Sequence, residues 1–259
     1  NVFSSKNLIL MAKKYNIKQF VFTSTFSIYE KNYKKPITEN EPPSAKNLYG
    51  KSKFEVEKIL KKSDLKNFCI LRVPIVIGKT RSHRIGILFE MIRNDLPLIL
   101  IGKGDNKIQF ISVDDLCLII KKSLHLKKKF TFNVGTAQSS TFKENLMHII
   151  KKSKSKSKIF TTNYYIGSFA LNILIFFKLV DLNFYHKALL TKNIVLNTNK
   201  IKRVLNLNFN ISSKEILLEN YKFYLKNFKM ISLIKSGSDK KPSLKIFNLL
   251  KFFMKIFKA

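Results

Sequence analysis

The sequence predicts an α/β protein in which a parallel sheet is covered by helices on both faces. Two short apolar runs, 18–23 and 68–73, have the β-rich composition of buried parallel strands. Between them, residues 49–62 carry apolar side chains at helical spacing. A strand, a helix and a strand in that order form a βαβ unit, whose two strands run parallel. We therefore expect a sheet that places ligands at the carboxyl ends of its strands.

The other predicted elements continue this alternation. An amphipathic helix is expected over 6–15, and Asn16 is its stop signal. Further strands are predicted at 108–113 and 130–134, and further helices at 85–93, 115–124, 141–152 and 211–228. The Lys/Ser run 152–158 is interpreted as a solvated loop. The apolar run 164–177 is shorter than the roughly 20 residues that span a bilayer, so it predicts a packed or interfacial helix.

These elements indicate three parts of the chain. Residues 1–78 hold the sheet with the candidate catalytic residues, and 108–136 return to it. Residues 79–230 form mainly a smaller C-terminal lobe, and 231–259 a linker and tail. Within the tail, 244–258 alternates apolar residues with Lys, which is typical of a basic amphipathic helix. Such a helix could lie on an anionic membrane surface, or dock on the protein or on a partner subunit.

Composition excludes two classes of function. The net charge is +33, but only five of the 49 basic residues are Arg and the Lys are spread along the chain. Because nucleic-acid sites rely on Arg for bidentate contacts, we expect no specific nucleic-acid binding. Cys69 and Cys117 are isolated and the four His are scattered, so no metal site is expected. Reduced, buried cysteines indicate a cytoplasmic protein.

The residues with chemical potential lie at the start of helix 49–62 and at the end of the strand before it. Tyr49 and Lys53 are four residues apart and share one helix face. The ammonium favours phenolate and is expected to lower the pKa of the Tyr, which suits a proton donor and acceptor. Upstream, Ser24 and Thr25 end a strand, where a hydroxyl could bond the substrate oxygen that Tyr49 protonates. The alternative for Ser24 is backbone capping at the strand end.

Five motifs occur in a recognisable order. They are Phe-Val-Phe-Thr-Ser-Thr-Phe-Ser-Ile-Tyr at 20–29, Tyr-Gly-Lys-Ser-Lys at 49–53, Leu-Arg-Val-Pro at 71–74, Phe-Ile-Ser-Val-Asp-Asp-Leu at 110–116 and Phe-Asn-Val-Gly at 132–135. Together they resemble the NAD-dependent epimerase/dehydratase family. This is the extended branch of the short-chain dehydrogenases, which includes UDP-glucose 4-epimerase. The resemblance runs from residue 1 to about residue 228.

The resemblance implies a Rossmann-type domain, NAD or NADP as cofactor, and a nucleotide sugar as substrate. It implies that Tyr49 is the acid/base, that Lys53 also binds the nicotinamide ribose, and that Thr25 orients the substrate, with the preceding serine as the alternative. Asn1 and the main chain near Pro74 would contact the cofactor. Family members often pair through the helices that carry the Tyr and Lys, so a homodimer is expected.

The sequence departs from the family at the cofactor fingerprint. The family opens with a strand, a Gly-x-x-Gly-x-x-Gly turn and a helix that receives the pyrophosphate. Here Gly102-x-Gly104 is the nearest approach, and we interpret it as a loop turn. We interpret the sequence as a fragment that starts midway through the cofactor domain. Residues 1–259 alone are then expected neither to bind NAD nor to catalyse. A non-catalytic scaffold that has lost its cofactor loop is the alternative from another class.

The substrate prediction depends on the positive charges near the motif at 110–116. Nucleotide-sugar enzymes of the family often carry an Arg just before it, where it meets a phosphate. Here Lys107, Lys103 or Arg84 could substitute as a point charge, but the bidentate fork is lost. The leading prediction is an epimerase, dehydratase or reductase of a nucleotide sugar. The alternative is a reductase of a steroid-like or other apolar alcohol, which the run 164–177 and the tail favour. Either enzyme would be cytoplasmic, with peripheral contact at the inner membrane surface through the tail.

Overall fold

The computed structural model describes residues 2–78, 85–136, 138–176, 192–208 and 211–228. The helices are α1 Val2–Lys14, α2 Leu48–Lys62, α3 Ile85–Arg93, α4 Val113–Ser123, α5 Phe142–Ser153, α6 Tyr164–Phe176, α7 Asn199–Leu205 and α8 Ser213–Lys226. The strands are β1 Phe20–Thr25, β2 Phe68–Val73, β3 Ile75–Ile77, β4 Leu98–Ile101, β5 Lys107–Ile108, β6 Phe110–Ser112, β7 Phe130–Asn133, β8 Ser140–Thr141 and β9 Ile159–Thr162. A short 3₁₀ helix, Phe26–Ile28, follows β1. Asn1, Arg84 and the predicted tail 244–258 lie outside the described residues.

The three-stranded sheet confirms the predicted parallel α/β architecture. Its strand order is β1–β2–β7, and both pairings are parallel. Strand β1 runs to Thr25, which is paired with Val73 at the end of β2. Strand β2 is buried at every position, as expected of a central strand covered on both faces.

Helices cover both faces of this sheet because the side chains of β2 alternate between two cores. Phe68 and Ile70 join a cluster with residues of α1 and α2, including Ile9 and Leu60. The alternate residues of β2 join a second cluster with residues of α4 and α7; its β2 members are Cys69, Leu71 and Val73, and its helix members include Ile119, Ile201 and Leu205. The helix that carries Tyr49 therefore lies on the Phe68/Ile70 face.

The chain divides into two compact units. The first comprises 1–77, 107–139 and 192–213, and the second comprises 78–106, 140–191 and 214–259. The stretch 192–208, which the predicted boundaries place with the C-terminal lobe, lies in the first unit. It is held there by backbone hydrogen bonds on both sides of Ile37, from Ile37 N to Val195 O at 2.7 Å and from Asn197 N to Ile37 O at 2.8 Å.

Polar side chains set several element ends. Helix α1 ends before Asn16, whose φ of 48° reverses the chain, as the stop signal predicted. The predicted strand at 108–113 is split into β5 and β6 around the buried Gln109, whose side chain bonds Thr136 O at 2.7 Å and the backbone of Leu196. Helix α4 begins at Val113, earlier than predicted, because Ser112 is its N-cap.

The second unit contains the parallel strand pair β4–β9 and helix α6. Gly102 and Gly104 have φ of +71° and +70°, consistent with the predicted loop turn. Helix α6 confirms the helix predicted at 164–177 and exposes large apolar side chains such as Ile166 and Phe169, at 69% and 67%. Within the described ranges, every helix lacks the length and apolarity needed to traverse a membrane.

Candidate active site

The candidate site lies where β1 and β2 end and α2 begins. Because β1 and β2 are parallel and in register to the pair Thr25–Val73, their carboxyl ends share one edge of the sheet. Pro74 follows directly on β2 and is therefore at the same edge. Open α/β sheets bind ligands at this edge. The structure thus brings together the strand residues predicted for substrate and for cofactor.

Gly50 allows α2 to start close against the chain that leaves β1. A Cβ atom built on Gly50 would lie 2.3 Å from the carbonyl oxygen of Ser27 in the 3₁₀ helix. No side chain fits in that distance, so glycine is required for this approach. Tyr49 immediately precedes this contact. The first turn of α2 is in this way seated next to the end of β1.

Asn47 fixes the start of α2. Its side-chain oxygen accepts a hydrogen bond from Gly50 N at 2.7 Å, which makes it the N-cap. Its own backbone N–H donates to Glu30 Oε1 at 3.0 Å, and its side-chain amide donates to the same oxygen. The loop between residues 30 and 47 is therefore closed by one carboxylate, and the helix start does not depend on the capping bond alone.

Tyr49 and Lys53 occupy the first two turns of α2. Tyr49 is 46% exposed, so its phenol is open to a ligand. Lys53 Nζ donates to the carbonyl oxygen of Thr23 at 2.9 Å and lies 4.9 Å from the centre of the Phe22 ring. Burial lowers the pKa of Lys53. The structure therefore holds a partly buried ammonium against β1, one helical turn after an accessible phenol.

Ser24 and Thr25 have distinct partners. Thr25 Oγ1 accepts from Ser27 N at 3.1 Å and is 2.9 Å from Ser27 Oγ, so Thr25 caps the 3₁₀ helix. Ser24 Oγ donates instead to Glu57 Oε1 at 2.6 Å. Successive residues of a strand point to opposite faces of the sheet, so the side chains of Ser24 and Thr25 have different surroundings. The backbone cap that was the alternative role for Ser24 is made by Thr25.

A buried ionic network beneath α2 is the feature that the sequence analysis missed. Arg72 Nη2 lies 2.8 Å from Glu57 Oε2, and Arg72 Nη1 donates to the hydroxyl of Tyr29 and, at 3.1 Å, to Glu39 O. Burial raises the pKa of Tyr29 to about 12. Because its hydroxyl accepts from Arg72 inside this network, we assign Tyr29 a structural role. The sequence contained two signals of this network: an Arg inside an apolar strand and a Glu four residues after Lys53. A buried charge needs a partner, which would have predicted their pairing.

The remaining predicted site residues are not drawn into this cluster. Lys107 opens β5, which is not a strand of the three-stranded sheet, and its backbone N–H donates to Asn193 Oδ1 at 2.7 Å. Asn1 and Arg84 lie outside the described residues. Across the described ranges, no group of three or more His, Cys, Asp or Glu is placed to hold a metal ion.

Comparison with known proteins identifies the family. Residues 1–135 match the model of the NAD dependent epimerase/dehydratase family, which is more than half of the chain. The chain therefore belongs to this family, as its motifs predicted.

Curated relatives match a wider stretch. A protein of Sinorhizobium fredii named uncharacterized protein y4nG is 28% identical over 227 residues, which cover 86% of this chain and 57% of the relative. A putative UDP-glucose 4-epimerase of Methanocaldococcus jannaschii is 31% identical over 162 residues, covering 58% of this chain and 52% of the relative. The chain thus spans little more than half the length of these curated relatives.

A solved structure shows the same fold. The dTDP-glucose 4,6-dehydratase of Bacillus anthracis, in complex with NAD, superimposes with a TM-score of 0.68 at 20% sequence identity. The match covers 88% of this chain and 68% of the dehydratase. The parallel sheet with its covering helices is therefore the Rossmann-like arrangement of epimerase and dehydratase structures.

Proposed function

We propose that the protein is an NAD(P)-dependent oxidoreductase of the epimerase/dehydratase type that acts on a nucleotide sugar, with Tyr49 as its acid/base. The observation that carries the proposal is the position of Lys53. Its ammonium is held against the Thr23 carbonyl at 2.9 Å, one turn after the exposed Tyr49 and beside the strand end that carries Thr25. The name of the Methanocaldococcus jannaschii relative, a putative UDP-glucose 4-epimerase, supports the substrate class.

In this proposal three side chains act on one substrate oxygen. Tyr49 takes a proton from a substrate hydroxyl as it is oxidised and returns one when the carbonyl is reduced. Lys53 lies one helical turn after Tyr49, with its ammonium held against the Thr23 carbonyl. Thr25 ends β1, and its hydroxyl, which also bonds Ser27, orients the substrate oxygen, while Ser24 holds the strand end through Glu57.

The donor set at this edge fits a nicotinamide cofactor. A partly buried Lys ammonium beside an accessible Tyr suits the hydroxyl groups of a ribose, and the main chain at Pro74 borders the same edge. When bound, this cofactor would supply a reversible hydride acceptor for the substrate carbon. Lys53, Tyr49 and the backbone near Pro74 would hold this group, and Asn1 is proposed to join them.

We propose that the first unit is the remaining part of the cofactor domain, with 107–139 returning to it, and that the second unit is the substrate lobe. Lys107 and Arg84 are proposed as point charges for the substrate phosphates. A charge-neutralising variant of either residue should raise the KM for UDP-glucose and leave the retention of NAD unchanged.

The test is turnover by the protein expressed from its complete coding sequence. With UDP-glucose and NAD, we expect formation of the 4-epimer, UDP-galactose, and its loss in Tyr49→Phe while NAD remains bound. Tyr15→Phe is the matched control, because Tyr15 is an exposed Tyr at the end of α1. Retained turnover in Tyr49→Phe would refute the acid/base role. Absence of both turnover and NAD binding in the parent would favour the scaffold alternative.

One observation favours the second candidate substrate, an apolar alcohol. Helix α6 contains no charged residue and exposes Tyr165, Ile166 and Phe169, each by more than 60%. Exposed apolar surface of this kind marks contact with an apolar ligand, a partner or a membrane. Offering a sterol alcohol and UDP-glucose to the same preparation separates the two candidates, because turnover of the sterol alone would displace the sugar nucleotide.

We expect the protein to pair with a second copy of itself. We propose a homodimer that pairs through the helix carrying Tyr49 and its neighbour α1, on which Leu8 and Leu10 are 60% and 52% exposed. Sedimentation velocity should show a dimer for the parent and a weaker dimer for Leu8→Lys.

We also propose peripheral contact with anionic membranes through 244–258. Binding to phosphatidylglycerol vesicles would test this contact.

A further inference from the structure

We propose that Glu57 is a positioning residue for the active site. Its carboxylate holds the end of β1, which carries Thr25, in register with helix α2, which carries Tyr49 and Lys53. This inference rests on the proposed function, since it assigns Glu57 a part in the same proton transfer. Glu57 itself lies one helical turn beyond Lys53 and is fully buried, so it acts through the residues it holds and not by touching substrate.

The carboxylate of Glu57 binds two strands at the same level. Ser24 and Arg72 are register partners across β1 and β2. Ser24 Oγ donates to Glu57 Oε1 at 2.6 Å, and Arg72 donates to both carboxylate oxygens, from Nε at 3.1 Å and from Nη2 at 2.8 Å. Glu57 therefore binds both strands at the pair Ser24–Arg72. This pair lies one residue before the pair Thr25–Val73, at which the two strands end.

The same network reaches the loop that leads into α2. From the other side of its guanidinium, Arg72 donates to the hydroxyl of Tyr29 and to Glu39 O. Glu39 Oε1 in turn accepts from the backbone N–H of Asn133 on β7 at 2.8 Å. The helix is thus tied to the strand ends through its own side chain and through the loop before it.

A charged residue at position 57 has a physical reason. A buried ion pair is expensive to desolvate, and apolar side chains of similar size often stabilise a fold equally well. A carboxylate with two acceptor oxygens differs from an apolar side chain in directing its partners. Misplacement of a reacting group by about 1 Å can cost roughly a hundredfold in rate, so directed contacts at this junction are worth their cost.

The experiment uses the protein expressed from its complete coding sequence, with UDP-glucose as the probe. Ser24→Ala removes the tie to β1 and leaves the Glu57–Arg72 pair in place. Glu57→Gln keeps the size of the side chain and weakens the Arg72 contact. Ser24→Thr keeps the hydroxyl and serves as the rescue. Ser63→Ala is the control, since it removes one hydroxyl hydrogen bond, to Leu60 O, at the far end of α2.

We expect kcat to fall by about tenfold or more in Ser24→Ala and in Glu57→Gln, with KM within about twofold of the parent. Ser24→Thr should recover most of the rate, and Ser63→Ala should match the parent. Unchanged kcat in both Ser24→Ala and Glu57→Gln, even with a lower melting temperature, overturns the proposal. A loss confined to Ser24→Ala also overturns it, because that result makes the serine itself catalytic.

Amide hydrogen exchange separates this inference from the proposed function. If the parent does not convert UDP-glucose, the substrate assignment fails, and exchange then decides the positioning role. In Ser24→Ala, faster exchange at residues 25–28 and 48–53, with β7 unchanged, supports the role of Glu57. Equal exchange in parent and variant overturns it. This measurement needs neither substrate nor cofactor.

Discussion

The carboxylate of Glu57 lies 2.8 Å from the guanidinium of Arg72, and the two side chains are 0% and 2% exposed. Removing one member leaves the other as an uncompensated buried charge. We expect Glu57→Leu and Arg72→Met each to lower the free energy of unfolding by about 3–5 kcal/mol. Urea denaturation of the full protein measures both changes.

The double variant provides the control for this pair. With both charges gone, no unpaired charge remains, so the loss in Glu57→Leu/Arg72→Met should be well below the sum of the single losses. Double-mutant cycles detect coupling of this kind between contacting residues. Strictly additive losses would show that the two residues act independently and would contradict the pairing.

Gly50 offers a second stability test at the same junction. In a helix Ala is intrinsically favoured over Gly by about 1 kcal/mol. In Gly50→Ala the new methyl would meet the Ser27 carbonyl at 2.3 Å, and a backbone atom cannot move aside as a side chain end can. We therefore expect a net loss of about 1–3 kcal/mol in the free energy of unfolding.

The exposed neighbour Lys51 is the control for Gly50. Lys51→Ala lies on the same helix turn and should change the free energy of unfolding by less than about 0.5 kcal/mol. Chemical denaturation compares the two variants directly. Gain of stability in Gly50→Ala, as helix propensity alone would give, would rule out the close approach.

Much of the fold could be predicted from the sequence because its signals are local. The run 68–73 became β2 and 85–93 became α3, both at their predicted bounds, since each is an apolar segment with polar residues or proline on either side. The strand at 108–113 was predicted as continuous but is split at Gln109. A buried polar side chain that joins segments distant in sequence leaves no periodic trace.

In the candidate site, too, some features could be predicted from the sequence and others could not. Tyr49, Lys53 and Thr25 were predicted from spacing and strand ends, which local sequence records. The partners of Ser24 and Arg72 could not be predicted, because the pairing of β1 with β2 and the rotation of α2 bring Glu57 to both. The motifs contained these residues, but only the three-dimensional register shows that they meet.

The two cysteines should differ in reactivity. Cys69 is fully buried in β2, and burial raises the pKa of its thiol to about 11. Cys117 on α4 is exposed, so the prediction of a buried cysteine is wrong at this position. Because the thiolate is the reactive form, DTNB should label Cys117 in the native protein and Cys69 only after unfolding. Cys117→Ser should lose this native label, and Cys69→Ser should keep it. Rapid native labelling of Cys117→Ser would contradict the burial of Cys69.

Lys53 should make stability depend on pH at the alkaline end. Its pKa in the folded protein is lowered by burial below the ordinary value of 10.5, so the folded state holds its proton less tightly than the unfolded state does. Protonation of Lys53 therefore disfavours folding. This unfavourable contribution is complete below the folded pKa and fades as pH rises from the folded pKa towards 10.5.

The comparison is between the parent and Lys53→Gln, which carries no charge at this position. Because only the parent loses the penalty as Lys53 deprotonates, its free energy of unfolding should rise relative to that of Lys53→Gln as pH rises from the folded pKa towards 10.5. Lys51→Gln serves as the control, since Lys51 is exposed on the same helix. Urea midpoints at several pH values measure the difference. A constant difference between parent and Lys53→Gln across this range would show that the Lys53 ammonium is as well solvated in the folded protein as in the unfolded chain.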